Sequence, residues 1–257
     1  MAKLRFSLLA LAVMSLAASG ALAATVEFED PKGDDHGPGE YVYPTDAVYA
    51  PGSFDITDFE VDDKGDDVEF ELNVGAKLED PWRMGSGFSV QMAFILIDNA
   101  PGGFTETPPG LNVKVDESTA WDVCVILSPQ TMARVQQEID AKGGAMASSL
   151  IAPTRVKGRR SSITARVSKE ELGGKGDIST WKYEVLMQSN EGFPKGGDLL
   201  TRKVNEFEGQ HRFGGGTDFD CDPHVMDILG DHSQLAHYEC ADDGSTVKHA
   251  TIKLVQP

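Results

Sequence analysis

The sequence predicts a mainly β protein, a two-sheet antiparallel β-sandwich with one or two short helices. Three observations lead there. Period-two alternation recurs along the chain, helical periodicity is clear in one segment, and 27 glycines with 13 prolines punctuate the rest. A chain of 257 residues can bury a substantial core, and sandwiches of this size are commonly one domain. No repeat, linker or low-complexity tract divides it, so residues 24–257 read as a single domain.

Residues 1–23 read as a signal peptide and are set aside. Lys3 and Arg5 give a positive start, Phe6 to Leu16 is almost wholly apolar, and Ala21-Leu22-Ala23 supplies the small-x-small cleavage pattern. The apolar run is too short to span a bilayer, and no later stretch replaces it. An exported protein, periplasmic or extracellular, is expected.

The first short strand is followed by the segment from Asp30 to Pro44, dense in Asp, Gly and Pro. Pro and Gly exclude a helix there, and the turn density excludes a strand. A loop so constrained can hold oxygens at fixed positions. Asp30, Asp34 and Asp35 with nearby carbonyls would suit calcium, which takes six to eight oxygen ligands. A solvated acidic turn is the competing reading of the same residues.

Phe54-Asp55-Ile56 and Phe59-Glu60-Val61 alternate but change phase, which predicts a bulge near Thr57-Asp58. A charged hairpin turn at 62–67 then leads into Val68, Phe70, Leu72 and Val74, the apolar positions of a half-buried strand. Phe88 to Ile97 is apolar on both parities, as expected of a central strand covered on both faces. Strands are predicted at 111–115, 120–127, 150–157 and 161–167. Trp181, Tyr183, Val185 and Met187 form another, and Ala250, Ile252 and Leu254 the last.

One helix interrupts them. Ser128 is the expected cap, Pro129 the first helical residue, Met132, Val135 and Ile139 share a face, and Gly143-Gly144 ends it. The narrow stripe places it at the sheet edge. Asp222-Pro223 opens a predicted second short helix, stopped at Gly230. Asp218, Asp220 and Asp222 copy the first ligand positions of an EF-hand loop, but Pro223 and Leu229 break the copy.

Export permits a disulfide, and Cys221 with Cys240 is the expected pair because both lie in polar, turn-rich sequence. Cys124, inside an apolar run, reads as a buried hydrophobe. Neither a c-type haem motif nor zinc-cluster spacing is present. The formal charge of −18 becomes more negative without the leader, which argues against nucleic acid and anionic membrane surfaces.

A family resemblance rests on ordered motifs. They are Asp-Pro-x-Gly-Asp-Asp-x-Gly-Pro-Gly from Asp30, Tyr41-x-Tyr43-Pro44, and Pro51-Gly52-Ser53-Phe54-Asp55-Ile56. Further on come Pro81-Trp82, Gly87-Phe88-Ser89-Val90-Gln91, Trp121-Asp122-Val123, and Arg212-Phe213-Gly214-Gly215-Gly216 through Asp222-Pro223 to Asp227. In these the chain resembles the C-terminal module family of glucodextranase from about Asp30 to the last strand. The resemblance implies a DOMON-like β-sandwich, usually appended to secreted α-glucan-degrading enzymes and directed at carbohydrate or the cell surface. The chain departs from that setting in having no catalytic domain.

Three functions compete. A non-catalytic module for polysaccharide or cell-surface polymer, alone or beside a secreted glycoside hydrolase or surface-layer protein, needs an exposed aromatic plane with polar neighbours. Trp82 is the expected platform, with Tyr41 and Tyr43 behind it and Gln91 as an amide partner. Trp82 as a cover for the sandwich edge is the competing reading, while Trp121 and Trp181 fall in strand alternation and read as core. A b-type haem electron carrier of the DOMON kind is the second possibility, although strand and helix packing accounts for most methionines. An enzyme is the third, and no nucleophile elbow or zincin motif supports it.

Overall fold

The computed structural model describes residues 24–257 apart from 175, 195, 219 and 220, so the expected signal peptide lies outside the described residues. The first strands are β1 (Thr25–Glu29), β2 (Ile56–Asp63), β3 (Asp67–Val74), β4 (Gln91–Asp98), β5 (Val113–Val115), β6 (Val123–Leu127) and β7 (Leu150–Ile151). They are followed by β8 (Val156–Arg159), β9 (Ser162–Ser168), β10 (Lys182–Ser189), β11 (Asp227–Ile228), β12 (Glu239–Cys240), β13 (Thr246–Lys248) and β14 (Ala250–Ile252).

Two five-stranded sheets form the sandwich, in the orders β1-β2-β3-β9-β8 and β11-β10-β4-β6-β7. Pairing is antiparallel except where the short edge strand β7 runs parallel to β6. Two small ribbons, β12-β13 and the parallel pair β14-β5, lie outside them. The mainly β sandwich predicted from alternation is the fold observed.

The first sheet is covered on one side. Along β3, Val68, Phe70, Leu72 and Val74 are buried while the acidic residues between them are half-exposed. The phase change at the start of β2 is a bulge, since the register with β3 shifts between Ile56 and Asp58. It keeps Ile56, Phe59 and Val61 on the inner face despite their uneven spacing. Opposite them lie Ala93, Ile95 and Ile97 of β4 and Tyr183, Val185 and Met187 of β10.

The second sheet is covered on both sides. Every residue of β4 except Asp98 is buried, as expected of the apolar run. Lys182 aside, β10 is buried throughout, so its alternating sequence does not mark an exposed face. The reason is a second apolar layer. Met92, Phe94, Leu96, Cys124, Ile126 and Leu186 on the outer face pack with residues of loops, of the C-terminal strand and of the helix.

That helix, α1 (Met132–Lys142), starts three residues later than predicted, and its cap is Thr131, whose side chain accepts from the Arg134 N–H. Ser128 instead accepts from the Gln130 N–H at 3.2 Å, and Pro129 precedes the helix. Val135 and Ile139 enter the outer layer, Met132 stays exposed, and the helix passes into Gly143-Gly144 as predicted. Glu138 sits between Arg134 (2.7 Å) and Lys142 (2.6 Å), one turn away on either side.

The second predicted helix is absent: residues 222–230 contain no helical turn, and 227–228 form β11 beside β10. Asp222 is not free to cap, because its carboxylate accepts from the Thr217 N–H at 3.2 Å and the Tyr41 hydroxyl at 3.1 Å. The Met226 and Leu229 N–H groups donate to Met187 and Val185 of β10, so long-range pairing overrides the local signal. Cys221 and Cys240 form the expected disulfide, Cα to Cα 5.6 Å, and Cys124 is a free, buried thiol. Trp121 and Trp181 are core residues.

Candidate functional site

Two places combine polar chemistry with unusual surroundings: the buried junction beneath the Asp30–Pro44 loop, and the surface around Trp82.

At the junction the chain leaves β1 and folds over residues 226–232. The Asp30 N–H donates to Thr57, and the Gly37 N–H to Met226, which fixes the loop against both sheets. Gly37 has φ +54°, and a Cβ there would lie 2.1 Å from the Tyr41 ring, so the position requires glycine. Tyr41 is buried with its hydroxyl on Asp222 and, at 2.6 Å, on the Pro223 carbonyl.

Beneath this strap lie four carboxylates. Asp30 is 7% exposed; its Oδ1 accepts from the Gly230 N–H at 2.5 Å, and its Oδ2 is buried without a partner among the described residues. Burial pushes Asp30 up to about 8; the Gly230 N–H opposes this and the carboxylates of Asp227 and Asp34 add to it. Asp227 is fully buried, with Oδ2 accepting from Ile56 at 2.7 Å and Oδ1 from Ile228 at 2.8 Å. Burial raises Asp227 to about 6 against the pull of His232 and the Ile56 N–H. Glu184, also fully buried, accepts from the N–H groups of Val185 and Leu229 through Oε1, while its Oε2 has no partner among the described residues. Its carboxyl is held well above the usual range by that burial. Asp34 is half-buried, and its Oδ1 is likewise unpartnered.

His232 faces these acids. Its Nδ1 is 3.1 Å from Asp227 Oδ1, and its Nε2 meets the Gly37 carbonyl. Burial lowers the imidazole, but Asp227, the Gly37 carbonyl and Asp34 together outweigh it and leave it raised. Asp34, Asp227 and His232 each bring one ligand atom within 4.8 Å of the others.

The predicted cation loop is thus divided. Asp30 and Asp34 belong to the junction, whereas Asp35 turns away and accepts from the Tyr43 hydroxyl. Tyr43 is half-buried, and its oxygen also accepts from the Phe54 N–H at 3.0 Å, so it braces the loop rather than facing a ligand. Tyr41 and Gln91, each 2% exposed, are closed to a polymer by their burial. Asp227 and His232 escaped the sequence reading because they lie about 200 positions from Asp30. A carboxylate and an imidazole five residues apart across a Gly-Asp turn, Asp227 to His232, were the available signal. Of the EF-hand-like triplet, Asp220 lies outside the described residues, while Asp218 accepts from the Glu206 N–H.

Trp82 is placed differently. Its loop is tied by Asp80, which accepts from Met84 and Ser89 Oγ at 2.8 Å and from Gly85 at 3.0 Å. The indole is 39% exposed and meets His211 edge-on at 5.7 Å and Tyr49 at 6.4 Å. Tyr49 continues inward to Phe54 and Phe213, which anchors the platform to the core. His211 also lines a cleft of about 280 Å³ with Glu191, Arg202, Asn205 and the highly exposed Phe193. Arg202 is fixed there by Glu191 at 2.8 Å and by the His211 carbonyl at 2.5 Å.

Sandwich, strap and exposed indole follow the motif order of the resemblance, and a family model decides it: the C-terminal, SLH-like binding module of glucodextranase matches residues 25–254. The chain belongs to that family. No curated protein matches it. The glucodextranase-type module described here is therefore of a family defined by a binding module. Among its described residues, no helix is long and apolar enough to cross a membrane.

Proposed function

We propose that this module is an exported, non-catalytic polysaccharide binder that docks on α-glucan or cell-envelope polymer, at the cell surface or beside a secreted glycoside hydrolase. The observation that carries this reading is the Trp82 indole, exposed yet braced by Tyr49 and by His211, which also lines the neighbouring cleft. The apolar face of a pyranose stacks on such a plane, while its hydroxyls meet Arg202, Glu191 and Asn205. The SLH-like description of the family supports the same reading.

Co-sedimentation with insoluble α-glucan and with purified cell wall tests it. The wild-type protein is retained on at least one polymer, and Trp82→Ala weakens retention by tenfold or more, about 1.4 kcal/mol of binding. Its melting temperature stays within about 3 °C, because the indole is not a core residue. A large loss of stability would make Trp82 an edge-packing residue, and failure of the wild type on both polymers would overturn the reading. A Soret band in the purified protein would favour the haem alternative.

A further inference from the structure

We propose that Asp34, Asp227 and His232, backed by Asp30, form a binding site for one divalent first-row transition cation of the zinc or manganese class. The site is independent of the polymer surface.

The three ligand atoms already converge within 4.8 Å. The Asp227 oxygen and the His232 nitrogen are 3.1 Å apart, close to the spacing of about 3.0–3.4 Å between neighbouring ligands on a cation with bonds near 2.1 Å. His232 is oriented as a ligand requires. With Nε2–H donated to the Gly37 carbonyl, the neutral ring aims its Nδ1 lone pair at the Asp227 carboxylate. Two acceptors at that distance repel unless a proton or a cation lies between them.

Asp30 supplies a separate observation. Its side chain is more than nine-tenths buried, its Oδ2 lacks a partner among the described residues, and its charged neighbours are Asp227, Asp34 and His232. Glu184 adds a fourth carboxylate close by. Burial and mutual repulsion keep such a set from ionising together, and a divalent ion reverses the sign of every repulsion in it. The imidazole selects the class of ion. Calcium and magnesium take oxygen ligands, whereas an imidazole suits zinc, and the carboxylates beside it also suit manganese. The calcium expected of the loop thus gives way to a transition cation once His232 joins the donors.

The test uses the full mature chain, stripped with chelator and dialysed. Added zinc or manganese should bind at about one equivalent by equilibrium dialysis. It should raise the melting temperature by about 5 °C or more at a hundredfold excess over Kd, with calcium and magnesium weaker. His232→Ala and Asp34→Asn should each weaken binding at least tenfold, while exposed His237→Ala leaves it unchanged. Should His232→Ala fail to fold, Asp34→Asn, at a half-buried position, reads the same loss. Melting indifferent to chelator and to all four ions overturns the proposal. So does a response to calcium alone, or zinc binding that survives both substitutions.

Discussion

The outer face of the first sheet and the junction beneath the N-terminal loop are both rich in carboxylates, and they neutralise them by different means. On the sheet several acids meet partly exposed side chains. Glu69 pairs with Arg166 at 2.6 Å, Asp62 with Lys64 at 2.7 Å, and Glu71 accepts from the Ser162 hydroxyl, while Asp63, at the strand end opposite Val68, meets Lys169 at 2.7 Å. At the junction the partners are backbone N–H groups of Ile56, Val185, Leu229 and Gly230, with His232 at the edge. A net charge of −18 describes both places equally and says nothing of either. What separates them is water, which screens the first set and is excluded from the second.

Three substitutions graded by burial sharpen that contrast. Asp227→Ala should cost the most, about 2 kcal/mol or more in urea denaturation, because the buried Ile56 N–H loses its acceptor. An unchanged midpoint would show that the junction is as well solvated as the sheet. Asp63→Ala should cost about 0.5 kcal/mol, since its pair with Lys169 is partly exposed and its other bond caps the Gly65 N–H in a turn. Arg166→Ala should move the melting temperature by no more than about 2 °C, and less still in high salt. A larger shift there would erase the distinction between the two regions.

Local signals were legible wherever neighbours in sequence set the outcome. The alternation of Val68 to Val74 and the slipped phase at Thr57-Asp58 appear as drawn, because backbone pairing between adjacent strands converts them directly into register. Cys221 and Cys240 were readable for a similar reason, being 19 positions apart in turn-rich sequence. The failures arose where distant segments compete for the same group. Asp222 looked like a helix cap, yet Tyr41, 181 positions away, takes its carboxylate into the interior. Tyr41 and Tyr43 looked like surface aromatics until Asp222 and Asp35 claimed their hydroxyls. The Asp30 loop showed its acids but not the imidazole that meets them, and only the sandwich brings His232 back to Gly37.

The bond from the Gly230 N–H to Asp30 spans 200 positions, and that from His232 to Gly37 spans 195. A growing chain emerges from its N-terminal end, so the strap around Gly37 exists long before the segment it must grip. β1, β2 and β3 can pair as successive neighbours early, but the strap stays open until residue 232 has arrived. Closure of the junction is therefore a late step in assembly. The Cys221–Cys240 bridge, formed within the last forty residues of the chain, then ties the arriving segment to its own downstream end. The loop that follows the first strand is in this sense among the last parts of the molecule to become structure.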